Sequence, residues 1–461
     1  MSRRLILVLP LAVGGGLVVL AMACRAWKSH LPARLGSYGT LALLLLALLL
    51  LTPFLAAAAA RLLQPAARRI LGLPERLALD NLVRSPGRTG TVITALAAGM
   101  ALLVQTSGLI HSNEAAVRRW VDQSLAGDLY LTSGGPLSAS GQTQPMAEAV
   151  GRRLGQVVPE MRLVPMRLRY LDWQPPGRRA RVLLLALNAQ EYYNVHAQHH
   201  PIPGLELYRR LTEPGTAVVS ENFAARYGVH PGEALTLPGC DGPVTLRVLG
   251  SVPDFSYSGG TILVDRVQYR HPFAADLVDL FEAYLPPSTN PEMVRQRLLQ
   301  SPLGAEQALF ISTRDEVRGH ILGMIGRLYG LAYGQEVMVA LVAVMGMLAA
   351  LLISVLQRRR EVGLLRALGA TRSQVLRSVV AEAVLMGLLG TGIGLGIGFP
   401  LEWYTVRVLL FEESGFLCAV HFPWETAAEL ALLALLTATL AGWLAGRATF
   451  RPELTRTLAP D

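Results

Sequence analysis

The sequence predicts a polytopic α-helical membrane protein of about six spans, with a large extracytoplasmic α+β domain between the third and fourth. Three observations predict it. Apolar runs of about 20 residues recur along the chain, enough for helices that cross a ~30 Å hydrocarbon core. Of the 461 residues, 52% are hydrophobic and only 16% charged, against roughly 25% charged in an average soluble domain. One long polar stretch, residues 112–335, interrupts the apolar pattern and is large enough for its own core.

The spans fall near 5–24, 38–60, 90–110, 336–356, 378–400 and 426–446, with Tyr38–Ala60 the plainest. Arginine counts orient them. Segment 61–89 holds Arg61, Arg68, Arg69, Arg76, Arg84 and Arg88, and segment 357–377 holds Arg358, Arg359, Arg360, Arg366, Arg372 and Arg377. Loop 401–425 has a single arginine against Glu402, Glu412, Glu413 and Glu425. Both termini are therefore expected in the cytoplasm of a bacterial cell, although Arg25, Lys28 and Arg34 would then lie outside. The expected divisions are a two-span hairpin over 1–64, a cytoplasmic amphipathic segment over 65–89 and a span over 90–111. The outer domain with its stalk comes next over 112–335, then three spans over 336–446 and a cytoplasmic tail over 447–461. The first run has a competing reading as a signal peptide, with Arg3 and Arg4 before it and Ala21-Met22-Ala23 ahead of Cys24. We read it as an uncleaved helix.

The net charge of +9 is almost all arginine, and Lys28 is the only lysine. The arginines stand beside apolar runs, which fits membrane orientation and not a nucleic-acid partner. Cys24, Cys240 and Cys418 have neither metal-ligand nor redox spacing, and free thiols are expected over a Cys240–Cys418 bridge.

Within 112–335, strands are expected over Asp128–Thr132, Arg162–Leu171, Arg181–Leu187, Thr216–Ser220, Ala234–Leu237, Val244–Leu249 and Thr261–Val264. Pro238-Gly239-Cys240-Asp241-Gly242 is a hairpin turn signal. Ser220 is expected to cap a short helix that Gly228 ends. A helix begins near Thr313 and feeds the fourth span as a stalk. His196, His199 and His200 read as solvated loop histidines, since no cysteine or carboxylate with ligand spacing joins them. No acid–base, nucleophile or metal constellation supports an enzyme in this domain.

In the span 378–400, Gly390, Gly394 and Gly398 recur every four residues, and Gly392 and Gly396 form a second row. Such rows let helix backbones approach closely in lipid. Packing within one chain and packing between subunits both fit.

The most informative stretch runs Arg358-Arg359-Arg360-Glu361-Val362-Gly363-Leu364-Leu365-Arg366-Ala367-Leu368-Gly369-Ala370-Thr371. Val362, Leu365 and Leu368 recur at helical spacing and give a short helix one apolar stripe. Gly369 is placed to end it in a left-handed conformation, and Thr371 with Gln374 forms a capping box for the next helix. Such a helix can seat in a groove of a soluble partner, its stripe as anchor and Arg360, Glu361 and Arg366 as charged rim. On physics alone an interfacial helix resting on lipid fits equally.

Arg359 to Thr371, with the following Ala381-Glu382-Ala383, resembles the signature of FtsX/MacB-type ABC transporter permeases. Leu77–Thr89 resembles the amphipathic helix before the first span of that family's repeat, and Thr216–Asp265 the core of its periplasmic domain. The resemblance implies a permease subunit that docks an ABC ATPase through 358–370, with Leu364 among the contact residues. It also implies export or extraction of an amphiphile by mechanotransmission. The first two spans resemble the linker hairpin of ten-span members, so the chain looks like a C-terminal half. The implied partners are that ATPase, membrane lipid, a second permease copy or a separate first-half permease, and a periplasmic adaptor. A regulatory subunit that moves no cargo is the alternative, favoured by the scarcity of charged residues inside the expected spans.

A Walker loop needs Gly-x-x-x-x-Gly-Lys-Ser/Thr. Lys28 is preceded by no glycine loop. No cofactor is expected in this chain, and ATP with Mg is expected in the partner.

Overall fold

The computed structural model describes residues 3–27, 35–70, 72–84, 86–135, 144–175, 179–199, 202, 204–268, 270, 273, 277–357 and 369–448. The chain divides into two compact units. One comprises Met1–Asn113, Tyr329–Leu409 and Ala419–Asp461; the other comprises Glu114–Leu328 and Leu410–Cys418.

The first unit is helical. Its elements are α1 (Arg3–Ala26), α2 (Leu35–Ile70), α3 (Leu73–Arg84), α4 (Pro86–Ser124), α5 (Arg314–Gln357), α6 (Arg372–Tyr404) and α7 (Trp424–Ala448). Both α4 and α5 run on, unbroken, into residues of the other unit. Among the described residues α2, α4, α5, α6 and α7 are long and apolar enough to cross a membrane, and α1 has a shorter apolar stretch, Leu11–Ala26. Each expected span lies inside one of these helices, which extend well past the hydrocarbon-sized runs.

Pro53 sits inside α2, where it removes one helical N–H. The neighbouring Thr52 hydroxyl turns back to donate to the Leu48 carbonyl at 2.8 Å, a local adjustment that apolar surroundings favour. The α1–α2 hairpin closes at Gly14, where an added Cβ would come 3.0 Å from the Leu51 side chain. Thr40 ties its other end by donating to the Ala21 carbonyl at 3.2 Å. The amphipathic α3 buries Leu79 and Leu82 in a cluster with Ile93 and Leu96 of α4, Met386 and Leu389 of α6, and Ala438 and Ala441 of α7. Its polar side reaches α2, where Gln64 donates to Asp80 at 2.7 Å.

Contrary to the expected loop over 401–425, α6 runs through Pro400 to Tyr404, widens into a π turn over Thr405–Leu409, and continues as a helix over Leu410–Ser414. The Thr405 hydroxyl donates to the Leu401 carbonyl at 2.8 Å, beside the bond that the Thr405 N–H already makes there.

The second unit is built on a nine-stranded mixed sheet. Its strands are β1 (Leu129–Ser133), β3 (Arg162–Trp173), β4 (Ala180–Leu187), β5 (Thr216–Ser220), β6 (Ala234–Gly239), β7 (Gly242–Val252), β8 (Thr261–Asp265), β10 (Leu280–Tyr284) and β11 (Leu309–Thr313). A two-stranded sheet joins β2 (Met146–Ala147) to β9 (Leu277–Val278). The order is β11-β1-β10-β3-β4-β8-β5-β7-β6, with β4–β8 and β5–β7 parallel and the other pairs antiparallel. All seven expected strands are present within a few residues. The expected hairpin is the β6–β7 turn, closing Gly239 against Gly242. The short strands β2, β9, β10 and β11 leave no comparable pattern in the sequence.

Two local expectations need correction. Ser220 does precede the helix Glu221–Tyr227, which ends at Gly228 with φ 66, but its hydroxyl does not cap that helix. It accepts the Thr261 N–H at 2.7 Å and so serves β8 instead. His196 is not a loop residue: it lies on the helix Ala189–His199 with 0% exposure, its Nδ1 2.9 Å from the Tyr192 carbonyl and its ring stacked on Tyr192 at 3.9 Å. The Gln- and Pro-flanked composition conceals a helix whose aromatic face is core. The side chain of His199, and His200 altogether, lie outside the described residues. No cluster of metal-ligating side chains occurs among those described. Cys24, Cys240 and Cys418 form no disulfide among the described residues.

Candidate functional site

The coupling residues that the sequence points to, Arg360, Glu361, Val362, Leu364, Leu365, Arg366 and Leu368, lie outside the described residues. The description resumes at Gly369, which has φ 95, a conformation open to glycine at little cost. The Thr371 hydroxyl accepts the Gln374 N–H while the Gln374 side chain accepts the Thr371 N–H, a complete capping box. A sharp turn therefore delivers the chain into α6, the helix at the centre of the helical unit.

The first glycine row of α6 packs within the chain, against α4. A Cβ on Gly390 would fall 2.5 Å from the Leu96 Cβ, one on Gly394 2.6 Å from the Met100 Cβ, and one on Gly398 3.3 Å from the Ala101 Cα. Gly392 and Gly396 face open space. Nearer its start, α6 meets α7 by the same means. A Cβ on Gly387 would come 3.0 Å from Ala438, one on Gly442 2.8 Å from Ala383, and one on Gly446 2.5 Å from Leu376. Gly442 and Gly446 are absent from the sequence expectations although their four-residue spacing is the same signal. Close backbone approach to two neighbours makes α6 a tightly packed helix, suited to moving as one body with α4 and α7.

The α6 row continues by four to Glu402, and there the size relation reverses. Glu402 has 0% exposure, both its carboxyl oxygens lack a hydrogen-bond partner among the described residues, and its carboxyl fills the place of a side chain at Gly108 of α4. Polar contacts surround this end of α4. Gln105 donates to the Thr405 hydroxyl at 3.2 Å, the Ser112 hydroxyl accepts the His421 N–H at 2.9 Å, and Ser107 hydrogen-bonds Glu336 of α5. Glu382, nearer the start of α6, is also buried. Pro400 ends the expected span and leaves Glu402 in the expected loop, whereas the fold carries the helix past it. A desolvated carboxyl in an apolar bundle costs several kcal/mol unless its charge is neutralised or matched.

Residues 337–454 match the model of the FtsX-like permease C-terminal domain, covering the latter part of α5, all of α6 and all of α7. An uncharacterised ABC transporter permease of Mycobacterium tuberculosis is 28% identical over 417 residues, 89% of this chain and 48% of that protein. The macrolide export ATP-binding/permease protein MacB of Rhodopirellula baltica is 33% identical over 126 residues, 26% of this chain and 18% of that protein. The chain thus carries an FtsX-like permease domain and is similar to ABC transporter permeases, MacB among them. An ABC transporter permease of Bacillus subtilis is 30% identical over 106 residues, 22% of this chain and 26% of that protein. The chain spans about half the length of the mycobacterial relative and less of the others. The apolar helices make it a multi-pass membrane protein.

Proposed function

We propose that this chain is the transmembrane subunit of an ABC transporter in the bacterial inner membrane, with both termini cytoplasmic. ATP hydrolysis, with its Mg, belongs to a separate ATPase subunit, and the cargo is an amphiphile: a lipoprotein, peptide, antibiotic or lipid-like molecule. The observation that carries this reading is the FtsX-like match over 337–454, together with the turn at Gly369 and the capping box beyond the arginine-led apolar segment 358–368. In this reading Val362, Leu365 and Leu368 seat in the ATPase. Motion enters α6 at Thr371, and α4 and α5 carry it by mechanotransmission into the sheet unit. The further partners are membrane lipid, a second permease copy or a separate first-half permease, and a periplasmic adaptor. Val337, Met338, Leu341, Val342 and Met345, exposed along α5, form apolar surface that lipid or such a chain would cover.

The test is recruitment. Leu365→Glu or Leu368→Glu should abolish co-purification of the ATPase while leaving membrane insertion intact. An unchanged amount of ATPase with both variants overturns the reading. The alternative is a cargo-free regulatory subunit, with which the helical stalk from Thr313 is compatible. Extraction of an amphiphile from reconstituted vesicles separates the two, since ATP use without movement would favour regulation.

A further inference from the structure

We propose that the cleft between α4, α5 and α7 binds a cationic amphiphile, its hydrocarbon tail along the cleft and its amine head at Glu336. The proposal deepens the transporter reading, on which the site's role in handling cargo rests, by giving the amphiphile a positive head. Every residue of the site belongs to the helical unit.

The cleft is lined by Leu96, Met100 and Leu103 of α4, Ala340 and Val344 of α5, and Leu430 of α7. Thr391 of α6 is the one polar side chain in its wall, and the exposed Leu433 stands at its edge. The α4 residues recur at intervals of four and three, which carries the same face on to Ser107. Along α5, Glu336, Ala340, Val344 and Leu348 are partly buried at every fourth position, while Val337, Met338, Leu341, Val342 and Met345 are exposed. The inward row of α5 therefore begins on a carboxyl and is apolar for the turns that follow.

Ser107 has 0% exposure, and its hydroxyl donates to Glu336. Both helices thus change from apolar to polar at one level, and the cleft is amphipathic along its length. His111, exposed one turn further along α4, is the one ionisable neighbour acting on Glu336 among the described residues. Its Nδ1 donates to the Ser107 carbonyl at 3.0 Å, which ties the ring to α4 itself.

Packing alone gives no reason for a carboxyl here. Leucine at 336 would extend the apolar row and escape the cost of taking a charge into an apolar bundle. A cationic head offsets that cost, because a protonated amine brings three N–H donors to the carboxylate and the Ser107 hydroxyl. Neutral and anionic heads have no such match. Of the five apolar helices α5 is the least buried, so it is the wall that moves to admit a tail.

The probe is dodecylamine with a photoreactive diazirine at the end of its tail, added to the full chain in phosphatidylcholine nanodiscs. Mass spectrometry maps the adducts, which should fall on Leu96, Met100 and Val344. The matching dodecanol probe should label them about tenfold less, the difference that one charged hydrogen bond makes. Glu336→Gln should weaken labelling by the amine to the same extent, and Glu336→Asp should keep most of it. Ala340→Phe, which fills the cleft, should lower labelling with Glu336 still in place. Should these variants fail to fold, competition in the unaltered chain by unlabelled dodecylamine, and not by dodecanol, gives the same answer. Equal labelling by amine and alcohol overturns the proposal, as do adducts spread evenly onto the exposed Val337, Met338 and Leu341. No nucleotide or ATPase is present, so the cleft can fail while recruitment through 358–370 holds, and the reverse.

Discussion

The carboxyl of Glu402 lies against Gly108, in the volume that a side chain at 108 would occupy. The pair continues the ladder that Gly390, Gly394 and Gly398 begin, but with the glycine transferred from α6 to α4. At this rung an acidic side chain bridges the gap. Gly108→Ala should cost about 1–3 kcal/mol by forcing that carboxyl aside. In a Glu402→Ala background the same change should be nearly neutral. Thermal or denaturant unfolding of the four proteins in detergent checks the cycle, and equal costs in both backgrounds would show that the two residues do not meet.

The two glycine rows of α6 should respond differently to the same substitution. Gly394→Leu meets the Met100 side chain and the Ala97 carbonyl, while Gly396→Leu meets nothing within 4 Å. The first should lower the midpoint of thermal unfolding by several degrees, on the order of 1–3 kcal/mol of overpacking. The second should leave it where it is.

At the entry to α6, Thr371→Ala removes one half of the capping box. The expected loss is about 1 kcal/mol, read as roughly fivefold faster amide exchange over residues 372–376. Gln374→Ala in addition should add less than its separate effect, because the two side chains act reciprocally.

In the sheet unit, burial holds the Glu282 carboxyl above its ordinary range, against the lowering effect of the Gly127 N–H, 2.8 Å away, and the Tyr130 hydroxyl, 3.1 Å away. The folded form therefore binds this proton more tightly than the unfolded chain does. Its contribution to stability is complete below the ordinary carboxylate range and fades as pH rises above it. Glu282→Gln should flatten the pH dependence of the sheet unit's unfolding on the alkaline side of that range. Near-ultraviolet circular dichroism of the full chain at a series of pH values measures this, and an equal slope in both proteins would contradict it.

Periodicity makes the apolar helices and seven of the strands legible, because each carries enough residues of one kind for the pattern to repeat. Leu280–Tyr284, no shorter than three of the strands found, is broken by Glu282 and Ala283, residue types that strands disfavour. The Gly369 turn and the Thr371–Gln374 box are legible because both are local chemistry. Glu402 is not. Pro400 normally argues for a helix end, and only the fold reveals that the helix continues past it to Tyr404 and into a π turn. Gly108 is equally hidden, since its meaning lies in a neighbour nearly three hundred positions away. The coupling stripe Val362, Leu365 and Leu368 stands on its sequence pattern alone.

The unbroken helix Arg314–Gln357 has 44 residues, a rod of about 66 Å at 1.5 Å per residue. It is not evenly stiff. Gly319, Gly323, Gly326, Gly330 and Gly334 crowd its first half, with nothing within 4 Å of the place a Cβ would take. Each weakens the helix by about 1 kcal/mol relative to alanine. The rod therefore carries its compliance in one known section, and bending under load will concentrate there instead of spreading along its length.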